Sequence, residues 1–240
     1  MNILITGASR GVGYAICEVL LKQGHTIYAI SRTHTDELEI LEKRFNETFF
    51  FKSVDLSNSQ NIQNEVFKTF VNNTISLDGF VNNAAMAYDD IITNLNLEKL
   101  ETMFKTNVYS PMLITKYAIR NMLFNKKSGS IIHISSISAH TGYKGLAMYA
   151  SSKGAIEAFS KNTAREWGEM GIRSNVVVPG FMETAMSASL SEQQKDRIYK
   201  RTSLKKATSV ESVAETVAFL LSDKAISITG QNIHNDSGTI

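Results

Sequence analysis

Tyr149 and Lys153 stand four residues apart at the start of a segment with helical periodicity, so their side chains share one helix face. A phenol titrates near 10 in water and is a poor acid–base catalyst at neutral pH. A lysine ammonium beside it favours the phenolate and is expected to draw that pKa down into a working range. A lone Tyr-x-x-x-Lys is usually helix surface. Here it follows an apolar run that ends in Ser135-Ser136, and that run in turn follows a glycine-rich loop near the start of the chain.

That loop reads Thr6-Gly7-Ala8-Ser9-Arg10-Gly11-Val12-Gly13, directly after the first apolar run and directly before a helical pattern. A dinucleotide pyrophosphate requires a backbone that comes close and a helix N-terminus whose free N–H groups face the anion. Gly7 permits the tight turn, Gly11 the close approach and Gly13 the packing of helix on strand. Three glycines alone could be an ordinary turn, but their place between strand and helix favours a nucleotide site. At the end of the second strand, an acidic residue would accept hydrogen bonds from the ribose of NAD. This chain has Ser31-Arg32 there, and Arg10 adds a second guanidinium. Two guanidinium groups suit a 2′-phosphate, so NADP(H) is the expected cofactor.

These groups have to be held by something, and the chain alternates short β-branched runs with longer amphipathic ones. Strands are expected at Asn2–Thr6, Thr26–Ser31, Thr48–Val54, Leu77–Val81, Ser130–Ser135, Ile172–Val178 and Ile228–His234. Helices are expected at Val12–Gln23, Asp36–Phe45, from an N-cap at Ser57 to about Phe70, and at Leu97–Phe124 with a break near Pro111. Further helices are expected at Tyr149–Met170, Glu192–Arg201 and Val210–Leu221. Strands this apolar are buried on both faces, which implies an α/β fold: a seven-stranded, mainly parallel sheet with helices on both sides. No linker, composition break or fixed repeat divides residues 1–240, so one doubly wound Rossmann-type domain is expected.

Composition narrows the classes. The chain has 240 residues, 43% of them hydrophobic, with Lys+Arg 25 against Asp+Glu 23, a net charge of +2. Its apolar content is that of a folded chain, and no global field marks nucleic acid as a partner. No apolar run approaches the roughly 18–20 residues that span a bilayer. The Met-Asn-Ile-Leu-Ile-Thr-Gly start reads as a strand and not as a secretion signal. Cys17 is the one cysteine, expected as a packed side chain in a reducing cytoplasm. His133 and His140 have no ligand-spaced partners, so they are expected as a core and a loop histidine, with no metal site. Trp167 and Phe159 read as packing.

The glycine loop, Asn82-Asn83-Ala84-Ala85, Asn107, Ser136, Tyr149, Lys153 and Pro179-Gly180 fall in one order. In that order the chain resembles the short-chain dehydrogenases/reductases over essentially its whole length. The resemblance implies that Tyr149 donates a proton to a substrate carbonyl oxygen while Ser136, thirteen residues earlier, hydrogen-bonds the same oxygen. Ser135 is the competing hydroxyl, and the thirteen-residue interval favours Ser136. Lys153 would grip the nicotinamide ribose, with Tyr149 beside it, and Asn107 would hold a helix distortion and a water of the proton relay.

By the same resemblance Gly7, Ser9, Arg10, Gly11, Val12 and Gly13 line the cofactor, together with Arg32. Asp55 would meet the adenine amino group, with Leu56 next to it; a cap on the following helix is the alternative role for Asp55. Asn82 would sit beside the adenosine ribose, followed by Asn83 and Ala84. Pro179 and Gly180 would also line the cofactor, and Thr184, four residues after Gly180, would hydrogen-bond its carboxamide or pyrophosphate. The family also implies a homotetramer built on the Tyr149 helix and the one before it.

Within the family the resemblance is to 3-oxoacyl-acyl-carrier-protein reductases, carried by Gly180–Met186 and by Ile228-Thr229-Gly230-Gln231. The chain departs from them at Ala85 and Ser237, and at Ser130 and Met170, where those reductases often carry basic residues. The expected activity is NADPH-dependent reduction of a ketone to a secondary alcohol. Reaction on a sugar or another small alcohol is the alternative, and a non-catalytic dinucleotide sensor a remote one. Ala185 to Lys206 is expected to form a substrate lid holding Lys195, Arg197, Lys200, Arg201, Lys205 and Lys206 against Glu192 and Asp196. A solvated helix face is the plain account of that charge. Attraction to a phosphorylated or acidic carrier, such as acyl carrier protein, coenzyme A or a nucleotide sugar, is the sharper one.

Overall fold

The computed structural model describes residues 1–184 and 191–240. Seven strands form one sheet: β1 (Asn2–Thr6), β2 (Thr26–Ser31), β3 (Phe49–Ser53), β4 (Gly79–Asn82), β5 (Gly129–Ile134), β6 (Ile172–Pro179) and β7 (Asn232–Asn235). Their order is β3-β2-β1-β4-β5-β6-β7, and every neighbouring pair is parallel. The order reverses between β1 and β4, and the carboxyl ends of those strands open the crevice where α/β folds bind ligands.

Alternation along each strand supplies both faces. Ile3, Ile5, Ile27, Ala29, Val81 and Ile132 pack on α1 (Gly11–Lys22), α2 (Asp36–Arg44) and α7 (Val210–Leu221). Leu4, Ile30, Phe80 and Ile131 face the other way, onto Val66, Ile114, Ala118 and Met122. The remaining helices are α3 (Leu97–Phe104), α4 (Ser110–Phe124), α5 (Ala147–Trp167) and α6 (Glu192–Arg201). No described helix is long and apolar enough to cross a membrane.

The expected elements appear, with instructive differences. The segment expected as one helix from Ser57 to Phe70 is a 3₁₀ turn at Ser59–Asn61 followed by a π-helical stretch at Gln63–Lys68. Side chains compete for its carbonyls: Lys52 Nζ and Thr69 Oγ1 both donate to the Glu65 carbonyl oxygen, 2.8 and 2.9 Å away. Ser57 is not its cap; the Ser57 N–H is itself taken by Asp55 Oδ1 at 2.9 Å.

The break in the 97–124 helix lies at Lys105–Tyr109, a π-helical turn, and Pro111 sits in the first turn of α4, where its missing N–H costs nothing. α5 begins two residues before Tyr149 and gives way to a 3₁₀ turn at Gly168–Met170, closed by Gly171 at φ 72°. The last strand begins at Asn232 and not at Ile228, because Ile228 O accepts from Asn175 Nδ2 at 2.8 Å and Thr229 Oγ1 accepts from Ser174 N–H at 3.1 Å. Residues 185–190 of the expected lid lie outside the described residues; the rest of it contains α6, capped by a reciprocal Ser191–Gln194 box.

Candidate active site

The glycine loop crosses the switch point. A Cβ on Gly7 would lie 2.7 Å from Ala84 Cα, and one on Gly13 2.1 Å from the Gly7 carbonyl oxygen. Glycine at these two positions is therefore needed to bring β1, α1 and the segment after β4 together. Gly11 differs: its φ is +57°, and a Cβ there would meet only Thr184 Cγ2, at 3.9 Å. It presents open backbone to the crevice, with Thr184 across from it. Asn83 locks the loop from the other side, its Nδ2 donating to the Thr6 and Gly7 carbonyl oxygens at 3.1 and 3.0 Å. The Asn83 and Ala84 N–H groups both donate to Thr6 Oγ1 at 3.0 Å.

Arg10 is the N-cap of α1 and offers no side-chain cap, which leaves the first amides of that helix without a side-chain acceptor. Arg10 and Arg32 are both exposed, and among the described residues neither forms an ion pair with a carboxylate. The Ser9 carbonyl oxygen accepts from Thr35 Oγ1 at 2.9 Å, tying the glycine loop to the loop that carries Arg32. Val12 and Leu56 are buried in the core on opposite faces of the sheet.

Two expected cofactor contacts are already engaged in the fold. Asp55 is exposed but caps Ser57, whose N–H and hydroxyl, ahead of the Arg32 charge, hold its carboxyl below the usual range. Asn82 turns inward, with its amide 3.2 Å from His133 Nδ1, and its Oδ1 has no partner among the described residues. Pro179 and Gly180 close β6; a Cβ on Gly180 would strike Thr208 Oγ1 at 2.5 Å, so this glycine serves packing.

At the reaction end, α5 delivers Tyr149 and Lys153 on one face. The Lys153 side chain crosses to the sheet and donates to the Ile134 carbonyl oxygen at 2.8 Å, with Nζ 5.7 Å from the centroid of the Tyr149 ring. Burial draws the Lys153 ammonium down to about 8, opposed by the Glu157 carboxylate. The tyrosine does not move as the spacing suggested. Burial pushes its hydroxyl up to about 12, and the charge of Asp89 adds to the rise. Desolvation of a phenolate here outweighs the nearby ammonium, and Tyr149 stays protonated at neutral pH.

The two serines separate by their partners. Ser135 is buried and donates to Glu157 Oε1, whereas Ser136 is half-buried and its Oγ accepts from the Ser138 N–H at 3.2 Å, which leaves its own proton free to donate among the described residues. Asn107, 2% exposed within the π turn, grips Met86 from both sides: Nδ2 donates to Met86 O and Oδ1 accepts from Met86 N–H, each at 2.9 Å. Its Nδ2 also reaches Ser152 Oγ at 3.1 Å, fixing the loop after β4 against α5. A π turn can present a side chain in this way because its widened hydrogen bonds rotate the residue off the regular helix face.

Asp89 and Glu157 are functional candidates that carried no motif signal. Asp89 acts on Tyr149 from far along the chain, and Glu157 continues the four-residue spacing of Tyr149 and Lys153 but takes its hydrogen-bond partners from other elements. His133 is fully buried in β5, as expected, and His140 pairs with Glu157 at 3.0 Å.

A family model described as enoyl-(acyl carrier protein) reductase matches residues 7–239. The chain is 32% identical over 239 residues to the 3-oxoacyl-acyl-carrier-protein reductase FabG of Aquifex aeolicus, covering 98% of this chain and 95% of that protein. A solved structure of 4-hydroxyisoleucine dehydrogenase complexed with NADH and succinate matches with a TM-score of 0.90 at 26% identity, over 99% of this chain and 98% of that one. ElxO with NADP bound matches at 0.86 and 28% identity, over 99% and 98%. With its reversal-point glycine loop, its Tyr149–Lys153 helix face and this breadth of similarity, the chain belongs to the short-chain dehydrogenase/reductase family of oxidoreductases.

Proposed function

We propose that the protein is an NADP(H)-dependent reductase that converts a ketone into a secondary alcohol, with Tyr149 as proton donor. The position of Lys153 carries this reading. Its buried ammonium joins the Tyr149 helix to the strand end that leads into Ser136, bringing three groups suited to a carbonyl oxygen to one rim of the sheet.

The crevice residues fit the cofactor. Gly11 offers open backbone, the α1 amides lack a side-chain acceptor, and Arg10 and Arg32 supply the charge that a 2′-phosphate requires. When bound, NADPH supplies the hydride to the carbonyl carbon. Ser136 Oγ–H donates to the carbonyl oxygen, and Tyr149 gives that oxygen its proton as negative charge develops there. A tyrosine that burial keeps protonated suits this reductive direction. Lys153, while charged, stabilises the phenolate left behind and holds ribose hydroxyls. Asn107 positions the loop and helix around them.

The similarity to FabG supports a 3-oxoacyl thioester as the substrate. One observation favours a small unattached ketone or alcohol instead. Ser130 is buried, its Oγ on the Leu220 carbonyl oxygen at 3.1 Å, and Met170 is an exposed apolar side chain, so neither position offers a carrier a cation. On α6, Lys195 and Lys200 are paired with Glu192 and Asp196 at 2.8 and 2.7 Å, leaving less free charge than the sequence count suggests.

Initial-rate NADPH oxidation with acetoacetyl-coenzyme A, beside a panel of sugars and small ketones and a matched NADH control, tests the proposal. Turnover with acetoacetyl-coenzyme A and NADPH supports the thioester reading; turnover confined to small ketones supports the second. No turnover with any ketone, while NADPH binds, would overturn the reductase assignment. A cytoplasmic homotetramer resting on α4 and α5 belongs to the same reading, and light scattering should return about four times 26.6 kDa.

A further inference from the structure

Tyr149, Lys153 and Glu157 succeed one another at four-residue intervals along α5, so the carboxylate lies one turn beyond the lysine on the same face. Glu157 is neither a solvated surface acid nor part of an ordinary helix pair. Its side chain is 10% exposed and gathers donors from three other elements. Ser135 Oγ, at the end of β5, donates to Oε1. His140, in the loop after β5, lies 3.0 Å away through Nε2, and Asn232 Nδ2, at the start of β7, donates to Oε2 at 2.8 Å. Ser135 and His140 bracket Ser136 in sequence, so one carboxylate pins both ends of the segment that presents the Ser136 hydroxyl to the helix that presents Tyr149.

A charged carboxylate this buried is costly unless it is hydrogen-bonded and paired with a cation. Four residues before it on the same helix is Lys153, 4% exposed, whose one hydrogen bond among the described residues is to a neutral carbonyl. We infer that Glu157 is a positioning residue of the active site: its charge keeps the buried Lys153 protonated, and its hydrogen bonds hold the Ser136 segment against α5. Among the described residues, the titratable groups facing this pair are Tyr149 on α5, His133 on β5, His140 in the following loop and His234 on β7, whose ring lies 4.8 Å from that of His140. The inference rests on the proposed role of Lys153 and adds a group that acts through it.

The test reads Lys153 directly. In protein labelled with ¹³C at the lysine ε-carbon, one resonance should titrate near 8, well apart from ordinary lysines, and disappear in Lys153→Arg. In Glu157→Gln that titration should fall by about one pH unit, the usual effect of losing a neighbouring opposite charge. The basic limb of the kcat–pH profile should fall with it. Asn232→Ala removes a hydrogen bond but keeps the carboxylate, and should leave both where they are. His140→Lys sets a permanent cation against the carboxylate at a partly exposed position, and should lower the titration even if Glu157→Gln does not fold. A Lys153 titration that stays in place in His140→Lys, or that moves as far in Asn232→Ala as in Glu157→Gln, overturns the inference. A moved titration in an enzyme that turns over no ketone would instead leave Glu157 in its role and remove the reductase reading.

Discussion

Removing the Tyr149 hydroxyl separates chemistry from binding. Tyr149→Phe should lower kcat by about 10²–10⁴-fold, the range for loss of a positioned proton donor, with the NADPH Kd changed less than about twofold. Near-normal turnover in that variant would sink the mechanism. Ser136→Ala should cost about 10²–10³-fold in kcat, as expected for one donor to a developing oxyanion. The shared helix face of Tyr149 and Lys153 was legible in the sequence because the relation is local, whereas the preference for Ser136 over Ser135 came from the thirteen-residue interval of the family resemblance. The state of Tyr149 was not. Its rise to about 12 follows from burial, and burial is set by residues far along the chain, such as Met103 and Tyr88, which form the cluster Tyr149 packs against. Asp55 shows the opposite case. The sequence favoured an adenine contact with a cap as the alternative, and the Ser57 N–H at 2.9 Å now occupies one of its oxygens.

At the scale of elements, two glycines two residues apart should respond differently. A Cβ at Gly13 would sit 2.1 Å from a backbone oxygen, with no flexible side chain to yield, so Gly13→Ala should prevent α1 from docking and leave little folded protein. Gly11→Ala meets nothing within 3.8 Å and suffers only its positive φ, a cost of roughly 1–2 kcal/mol. It should fold, with a Tm lowered by several degrees, and lose NADPH affinity at least about tenfold, because the added methyl stands where the backbone must approach the pyrophosphate. Thermal melts and fluorescence titration on the two variants check this; equal NADPH affinity in Gly11→Ala and wild type would remove the glycine loop from the cofactor site. Strands β1 and β2 and helices α6 and α7 lie within the ranges expected from periodicity, because each is bounded by turn residues and has one clear period. The departures cluster where side chains take backbone groups: Lys52 and Thr69 at the Glu65 carbonyl, Asn175 and Ser174 along the approach to β7. Such competition is invisible to a hydropathy pattern, since it depends on which strands become neighbours.

At the scale of the whole molecule, one histidine is fully buried in the middle of the sheet. His133 is fully buried on β5, edge-on to Phe80 at 6.3 Å and Phe159 at 5.9 Å; Asn82 contacts its Nδ1, and its Nε2 has no partner among the described residues. Burial, reinforced by the Lys153 charge, draws its pKa down to about 3. In the unfolded chain the same imidazole accepts a proton near 6.5. Between these values the unfolded state binds a proton that the native state refuses, so folding is favoured less as pH falls. The native state is undisturbed above about 6.5 and loses about 1.4 kcal/mol per pH unit below it, continuing toward 3. From pH 6.5 to 5 that amounts to about 2 kcal/mol, a large part of the margin of an ordinary domain. His133→Asn keeps a polar group for Asn82 and cannot take up the proton. Urea unfolding of both proteins at pH 7 and pH 5, at one protein concentration, should show the variant losing about 2 kcal/mol less than wild type. Carboxylates elsewhere titrate alike in the two proteins and cancel in the difference, so equal losses would mean that the proton enters elsewhere. The position of this histidine beside Lys153 links the prediction to function: in mild acid, where Lys153 stays charged, the protein should lose stability, and in mild base, as Lys153 gives up its proton near 8, it should lose activity while still folded.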